Sequence, residues 1–151
     1  MSESKQPKPT YETQRCVEKG RLVYYTSTAD ANFWDNLWQT YFDPATYDWA
    51  DTGPHLGYLE QPVLKYLPKA GPILEAGCGL GLYVAILRAR GYAVEGVEWG
   101  RETVETVLSV RPDLPIRVGD VTYLEVPDGY YSGYISLGVV EHRLEGPEPS
   151  D

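Results

Sequence analysis

The sequence predicts an α/β fold around a doubly wound parallel sheet, preceded by an aromatic helical cap. Two observations carry this prediction. From Gly71 onward, short apolar runs alternate with amphipathic segments of about ten residues, which is the pattern of successive β-α-β units. Before Gly71, tryptophan, tyrosine and phenylalanine recur at helical spacing. A chain of 151 residues is also long enough to bury a sizeable core.

The composition changes along the chain and suggests three regions. Residues 1–14 are polar and include two prolines, so we expect a flexible tail. Residues 15–70 contain three of the four tryptophans and form the predicted helical cap, with a short β-prone run at residues 22–26. Residues 71–151 carry the alternation of strands and helices and form the predicted α/β half-domain.

Within the cap, Asp30 can begin a helix over residues 31–42, because its carboxylate can accept from the first unpaired N–H groups. The apolar stripe of that helix consists of Phe33, Trp34, Leu37, Trp38 and Tyr41. Residues 43–54 are rich in Asp, Pro and Tyr and predict a loop. Residues 56–67 have helical spacing, but Pro62 must either start a shorter helix or kink a longer one.

Four strands and two helices are predicted after Gly71. The strands occupy residues 72–76, 93–98, 116–118 and 134–138. The helices occupy residues 80–90, ended by Gly91, and residues 101–110, with Pro112 just past the end. Ligands of such sheets bind at the carboxyl ends of the strands, so the residues that follow each strand are the candidate site.

The charge distribution argues against nucleic acid as the main partner. Residues 1–24 carry five basic and three acidic side chains, and residues 25–151 carry eight and nineteen. Nucleic-acid binders normally present a basic patch, so the acidic main part favours a small-molecule substrate. No apolar run reaches the ~20 residues of a membrane helix and no signal-peptide pattern is present, so we expect a cytoplasmic protein without a membrane partner. Cys16 and Cys78 are far apart, and neither a disulfide nor a metal site is predicted.

The turn after the first predicted strand carries three glycines at alternate positions. It reads EAGCGLG from Glu75 to Gly81, with glycines at 77, 79 and 81. Glycine lets the backbone turn sharply and approach a ligand closely, and the following helix N-terminus attracts anionic groups. A dinucleotide fingerprint would place glycine or alanine where Leu82 stands. This departure weakens the nicotinamide interpretation and suits a nucleoside ligand without a pyrophosphate.

Acidic residues end the next two predicted strands. Glu98 lies 21 residues beyond Gly77, where an acid can accept hydrogen bonds from both ribose hydroxyls. Trp99 follows and can lie against an adenine face. Asp120 ends the third strand and can accept from the adenine amino group. Together with Glu75, these acids converge on one cleft at the carboxyl edge of the sheet.

These stretches resemble the class I S-adenosylmethionine-dependent methyltransferases of the small-molecule type. The matching segments are ILEAGCGLG (73–81), VEGVEWG (94–100), IRVGDV (116–121) and YISLGVVEH (134–142). The resemblance implies a Rossmann-like fold and S-adenosylmethionine as cofactor. It further implies that the loop 77–81, including Cys78, contacts the methionine portion, that Glu98 binds the ribose, that Asp120 and Val121 bind the adenine, and that Leu137 lies near the sulfonium. The aromatic helix resembles the family's variable cap, which covers the cofactor and shapes the substrate pocket.

Several of these residues have a plain structural interpretation as well. Glu75 either approaches the cofactor or only orients the loop, and Cys78 is a small filler of that loop. Trp34 and Trp38 are either core residues or walls of the substrate pocket. His55 is most simply a loop residue.

The sequence departs from the family at its C-terminus. The family's sheet has seven strands in the order 3-2-1-4-5-7-6, whereas this sequence stops where the helix after the fourth strand should begin. The fourth strand would then be a bare edge, which invites pairing. Either the chain is a truncated product of a longer gene, or this edge pairs with a second copy or another subunit. We therefore expect an oligomer or a marginally stable chain.

The predicted activity is methyl transfer from S-adenosylmethionine to an unidentified small molecule. His142 is the candidate general base near the methyl-transfer position, with Glu141 as a comparable candidate, although many family members need only proximity. The alternative function is a non-catalytic S-adenosylmethionine-binding or scaffolding fragment that needs a partner chain. A nicotinamide oxidoreductase is a third hypothesis, which Leu82 disfavours.

Overall fold

A computed structural model describes residues 14–25, 29–53 and 55–142. The predicted tail therefore lies outside the described residues except for Gln14, which is the first residue of a strand. The side chain of Glu141 also lies outside them.

The described chain begins with an antiparallel hairpin. Strands β1 (Gln14–Glu18) and β2 (Arg21–Tyr25) pair with Glu18 opposite Arg21. Lys19 and Gly20 form the turn and both have positive φ, 48° and 78°, as a two-residue hairpin turn with matching twist requires. The sequence predicted only the second strand, because a Lys-Gly turn lacks the usual Asn-Gly signal.

The described residues of the predicted cap contain three α-helices. In α1 (Ala31–Tyr41), Asp30 caps the N-terminus as predicted, and its Oδ1 accepts from Phe33 N at 2.9 Å. Helix α2 (Ala45–Asp51) shows that the loop predicted over residues 43–54 was wrong. Its seven residues include Tyr47 and Ala50, which are buried in the main core. Tertiary burial therefore stabilises a helix in a segment whose Asp and Pro residues predicted a loop.

The segment predicted over residues 56–67 forms two pieces. A 3₁₀ turn (Gly57–Leu59) leads into α3 (Glu60–Tyr66). Pro62 lies in the first turn of α3, where a backbone N–H has no helical partner to lose. The shorter of the two predicted helices is therefore the correct one.

The half-domain contains a four-stranded parallel sheet, which confirms the predicted fold class. Strands β3 (Ile73–Ala76), β4 (Val94–Glu98), β5 (Ile116–Val118) and β6 (Gly133–Ser136) lie in the order β5-β4-β3-β6. Ile73 pairs with Val94 on one side and with Gly133 on the other. This is the order expected of the first four strands of the resembled fold. Helices α4 (Leu82–Ala89) and α5 (Arg101–Val110) follow β3 and β4.

Helices cover one face of the sheet. The main core lies on that face and draws on α2, α3, α4 and α5. The opposite face carries Leu74, Ala76 and Val97, covered by Val121, Leu124 and Tyr131. The carboxyl ends of all four strands consequently lie at one edge of the sheet, beside the first turns of α4 and α5. Among the described helices, none is long and apolar enough to cross a bilayer.

Candidate functional site

The loop between β3 and α4 is shaped by its three glycines. Gly77, Gly79 and Gly81 have φ values of 68°, 51° and 66°, in the left-handed region that disfavours side chains. The N–H groups of Gly77 and Cys78 both donate to Val97 O, at 2.8 and 3.1 Å. Gly81 N donates to Cys78 O at 2.8 Å and closes the turn that starts α4. The loop is thus bonded tightly to β4.

Two of the loop glycines are in close contact with other side chains, which leave no room for a Cβ. A Cβ at Gly79 would lie 2.6 Å from Trp38 Cζ2, and one at Gly77 would lie 2.4 Å from Val139 Cγ2. The sequence predicted glycine here for close approach of a ligand. The structure adds a second reason, because Trp38 of the cap and Val139 after β6 pack directly on the loop.

Glu98 joins the end of β4 to the glycine loop. Its side chain is buried, and Oε2 accepts from Gly79 N at 2.8 Å. Its Oε1 accepts from Trp99 N at 2.8 Å and from Gly100 N at 3.0 Å. A carboxylate has about four acceptor positions, so Glu98 retains capacity for a further donor. Trp99 is 50% exposed beside it and offers an open aromatic surface.

Glu75 is a buried carboxyl beneath the loop. It is 3% exposed, and its Oε2 has no hydrogen-bond partner among the described residues. Burial raises the pKa of Glu75 to about 8, the Val84 N–H opposes this rise, and the nearby Glu98 charge adds to it. Glu75 is therefore mainly protonated at neutral pH, with one polar atom free to accept or donate.

Cys78 fills space between the loop and β4. A Cβ at Gly96 would lie 2.6 Å from Cys78 Sγ, so glycine at 96 makes room for the thiol. Burial raises the pKa of this thiol well above its usual value, and the charges of Glu75 and Glu98 add to the rise. The side chain of Cys78 is a buried filler of the loop.

Aromatic residues of the cap meet the segment after β6. The rings of Trp34 and Trp38 stack with centroids 6.5 Å apart, and Trp34 contacts His142 edge to face at 4.8 Å. Both tryptophans are partly buried, and Trp38 also packs against the main core. The structure therefore brings the candidate base His142 against the cap and next to the tryptophans predicted for the substrate pocket.

The end of β5 is bonded to Glu98 through the backbone. Gly119 N donates to Glu98 O at 2.9 Å. The Asp120 side chain is exposed, and its Oδ1 accepts from Thr122 N at 2.8 Å. Val121 is half-buried against the face of the sheet that carries Leu74. Both residues thus lie at the predicted edge, in a turn that Asp120 stabilises itself.

Leu137 is one of the residues that line an apolar cleft of about 330 Å³ along β6. The other walls come from α3 and α4, with Val63 and Tyr83 among them. His55 is elsewhere, with its side chain 92% exposed and its Nδ1 3.8 Å from Glu60 Oε2, as suits a loop residue. No group of three or more His, Cys, Asp or Glu within the described ranges could hold a metal ion.

Sequence reasoning missed Asp35 and Val139. Asp35 is 7% exposed on α1, and its Oδ1 accepts from Thr103 N at 2.8 Å and from Thr103 Oγ1 at 2.7 Å. One signal was available, because Asp35 is an acid between the apolar residues Trp34 and Leu37. Val139 carried no signal, because its contact with Gly77 depends on how the chain leaves β6.

Comparison with known proteins now decides the family. Residues 74–150, just over half of the chain, match the family model described as a methyltransferase domain. The chain belongs to the methyltransferase domain family. The resemblance to class I S-adenosylmethionine-dependent methyltransferases is thereby confirmed.

Two similar proteins show how much of a relative's length this methyltransferase domain matches. It is 32% identical over 74 residues to a dTDP-4-amino-2,3,4,6-tetradeoxy-D-glucose N,N-dimethyltransferase of Saccharopolyspora spinosa, a match that covers 49% of this chain and 28% of that protein. A solved structure from Methanococcus maripaludis, assigned as an S-adenosyl-L-methionine-dependent methyltransferase, superposes with a TM-score of 0.51 at 18% identity. The superposition covers 77% of this chain and 53% of that one, and it supports the fold. The domain thus spans little more than a quarter of the curated relative's length.

Proposed function

We propose that this methyltransferase domain binds S-adenosylmethionine at the carboxyl edge of the sheet and serves methyl transfer to a small molecule. The observation that carries the proposal is the bond from Gly79 N to Glu98 Oε2, because it joins the loop and the acid that the family uses for this cofactor. Membership of the methyltransferase domain family supports the same conclusion.

The chemistry of the groups at this edge of the sheet fits the cofactor. Glu98 retains one acceptor position for a ribose hydroxyl, and half-exposed Trp99 offers a surface for the adenine ring. The unpartnered Oε2 of Glu75 suits the ammonium group of the methionine portion, although the bond from Val84 N equally suits a role in orienting the loop. Asp120, Val121 and Leu137 complete the proposed cofactor contacts.

When bound, S-adenosylmethionine would supply a methyl group on a positively charged sulfur, so that an in-line nucleophile bonds to the methyl carbon while the carbon–sulfur bond breaks and the neutral thioether S-adenosylhomocysteine leaves. The protein's contribution is to hold the two reactants together and to exclude water. Trp34 and Trp38 form the cap wall in this proposal, and His142 faces Trp34. His142, or its neighbour Glu141, then receives the proton that the nucleophile loses, unless the acceptor enters already deprotonated.

The proposed acceptor is a small molecule. The curated relative is named as an N,N-dimethyltransferase of a dTDP-linked amino sugar, which supports an acceptor of small-molecule size for this domain. The partly buried stacked pair Trp34 and Trp38 supports an apolar wall on the acceptor side.

Calorimetric titration with S-adenosylmethionine, its demethylated product S-adenosylhomocysteine and NADH tests the cofactor. Saturable binding of the first two ligands, with none for NADH, is the expected result. Binding of NADH alone would overturn the proposal in favour of a nicotinamide enzyme.

A second proposal is a binding or scaffolding role that needs a partner chain. The observation behind it is β6, which pairs with β3 on one side and with no described strand on the other. Exposed Tyr134 and the apolar cleft lie along the same strand. Light scattering tests this proposal, since a stable monomer would contradict it. The family match favours the enzymatic role over this one.

A further inference from the structure

Asp35 is a carboxylate buried in the middle of the cap helix α1. It is 7% exposed, whereas its neighbours in sequence are half-buried (Trp34) and exposed (Asn36). Burying a charge is costly unless hydrogen bonds compensate it. The groups that Asp35 binds must therefore compensate this cost.

Asp35 caps a helix to which it does not belong. Its Oδ1 accepts from both N and Oγ1 of Thr103, at 2.8 and 2.7 Å. Helix α5 begins after Gly100, which has no side chain with which to cap it. Because unpaired N–H groups and the helix dipole favour an acid at this end, α1 supplies the missing cap across a sequence separation of 68 residues.

Gly100 is the point where Asp35 meets the cofactor-site turn. A Cβ at Gly100 would lie 2.3 Å from Asp35 Oδ1, although the Gly100 φ of −69° is open to any residue. Close approach of Asp35 is therefore what requires glycine here. Gly100 N also donates to Glu98 Oε1 at 3.0 Å, so Glu98 and Asp35 hold the 98–100 turn from its two sides.

Trp38 lies one helical turn beyond Asp35 and contacts the same site from another direction. Its ring packs on Gly79, whose N–H donates to Glu98 Oε2. The contacts form a closed ring that passes through Asp35, Gly100, Glu98, Gly79 and Trp38. These contacts connect α1 directly to the residues that hold Glu98 in place.

We propose that Asp35 is a positioning residue for the cofactor site. Its bonds to Thr103 keep α1 docked with Trp38 on the glycine loop, and its contact with Gly100 keeps Glu98 turned toward that loop. Loss of Asp35 loosens the packing of α1 and the glycine loop together. Cofactor binding therefore weakens although no residue that contacts the cofactor is changed. This inference rests on the proposed S-adenosylmethionine site.

The chain offers a matched control in the same pair of helices. Gln39 Nε2 donates to Thr106 Oγ1 at 2.7 Å, an exposed contact between α1 and α5 that does not touch the 98–100 turn. Gln39→Ala therefore removes an interhelical hydrogen bond but leaves the contacts among Asp35, Gly100, Glu98, Gly79 and Trp38 intact. Asp35→Asn keeps the side-chain shape and an acceptor oxygen, so it is the conservative variant.

Hydrogen exchange of the ligand-free protein tests the coupling first. In Asp35→Ala we expect faster exchange in both α1 and residues 77–81, with Asp35→Asn restoring most of the protection. Gln39→Ala is expected to leave residues 77–81 unchanged. Faster exchange in α1 alone would reduce Asp35 to an ordinary helix cap and overturn the proposal. If Asp35→Ala does not fold, Thr103→Val serves, since it removes one of the two donors to Asp35.

Calorimetry with S-adenosylhomocysteine tests the consequence for the site. Asp35→Ala should bind roughly ten-fold more weakly than the parent, as expected for loss of a helix cap that is coupled to binding. Equal affinity of Asp35→Ala and the parent would refute the positioning role. Absence of binding by the parent itself would instead refute the proposed cofactor, and the exchange experiment would still decide the coupling of α1 to the loop.

Discussion

Glu98 Oε2 accepts a 2.8 Å hydrogen bond from Gly79 N, so the acid at the end of β4 and the loop after β3 form one unit. The remaining oxygen holds the N–H groups of Trp99 and Gly100. A single buried carboxylate thus organises both turns that border the proposed cofactor site.

The first prediction concerns Glu98 itself. Glu98→Ala should weaken S-adenosylmethionine binding by about 1–3 kcal/mol, because a charged hydrogen-bond acceptor is removed. Glu98→Gln should bind with intermediate affinity, since its amide keeps one acceptor oxygen. Calorimetry measures both variants. Glu102→Ala, an exposed acid in the first turn of α5, is the control, and unchanged affinity in Glu98→Ala would refute the ribose assignment.

The second prediction concerns the pH dependence of stability. Burial raises the pKa of Glu75 from 4.5 to about 8, so the folded state binds this proton more tightly than the unfolded state does. The resulting stabilisation is complete below pH 4.5 and is lost as the pH rises through about 8. Glu75→Gln keeps the shape without the titration and should therefore be increasingly more stable than the parent toward pH 9.

Thermal unfolding between pH 5 and pH 9 checks the Glu75 prediction. The difference in melting temperature between Glu75→Gln and the parent should grow with pH. Other titrating groups are common to both proteins and cancel in this difference. Parallel pH profiles would contradict the prediction, and Glu105→Gln, an exposed acid of α5, gives the expected profile of a substitution without effect.

The third prediction separates two reasons for glycine at position 79. Gly79→Ala should destabilise the protein more than Gly91→Ala does, although both glycines have positive φ. The backbone cost is about 1 kcal/mol at either site, but only the Cβ at 79 meets Trp38, whereas nothing lies within 4 Å at 91. Urea unfolding of Gly79→Ala, Trp38→Ala and the double variant measures the coupling. Additive effects would show that the Trp38 side chain and the glycine loop do not interact.

The fourth prediction concerns α2, the helix in the segment that was predicted to be a loop. Tyr47 Oη donates to Leu80 O at 2.6 Å in a buried bond, and burial raises the pKa of Tyr47 to about 12. Tyr47→Phe removes this buried hydrogen bond and should cost about 1–2 kcal/mol of unfolding free energy. Chemical unfolding of Tyr47→Phe beside Tyr58→Phe, which alters an 80% exposed ring, checks this. Equal stabilities would mean that α2 is not held by this bond.

Local pattern was enough to predict several elements of the fold. Strand β5, helix α5 and the Asp30 cap were predicted within the observed bounds, and the order of the four strands followed from the resembled motifs. These features depend on neighbours within a few residues, and periodicity records which face of each element is buried. The same local logic located Glu98 and the glycine loop.

Only the folded chain could reveal the contacts between distant elements. Helix α2 forms because Tyr47 and Ala50 find a buried place against α4, and no local signal overcame the turn-forming residues around them. Asp35 and Thr103 are 68 residues apart, and a hydrogen bond at that separation leaves no periodic trace in either segment. The sequence therefore determined which residues follow the ends of the strands, whereas packing between helix α1 and the sheet decided that Trp38 lies on the loop.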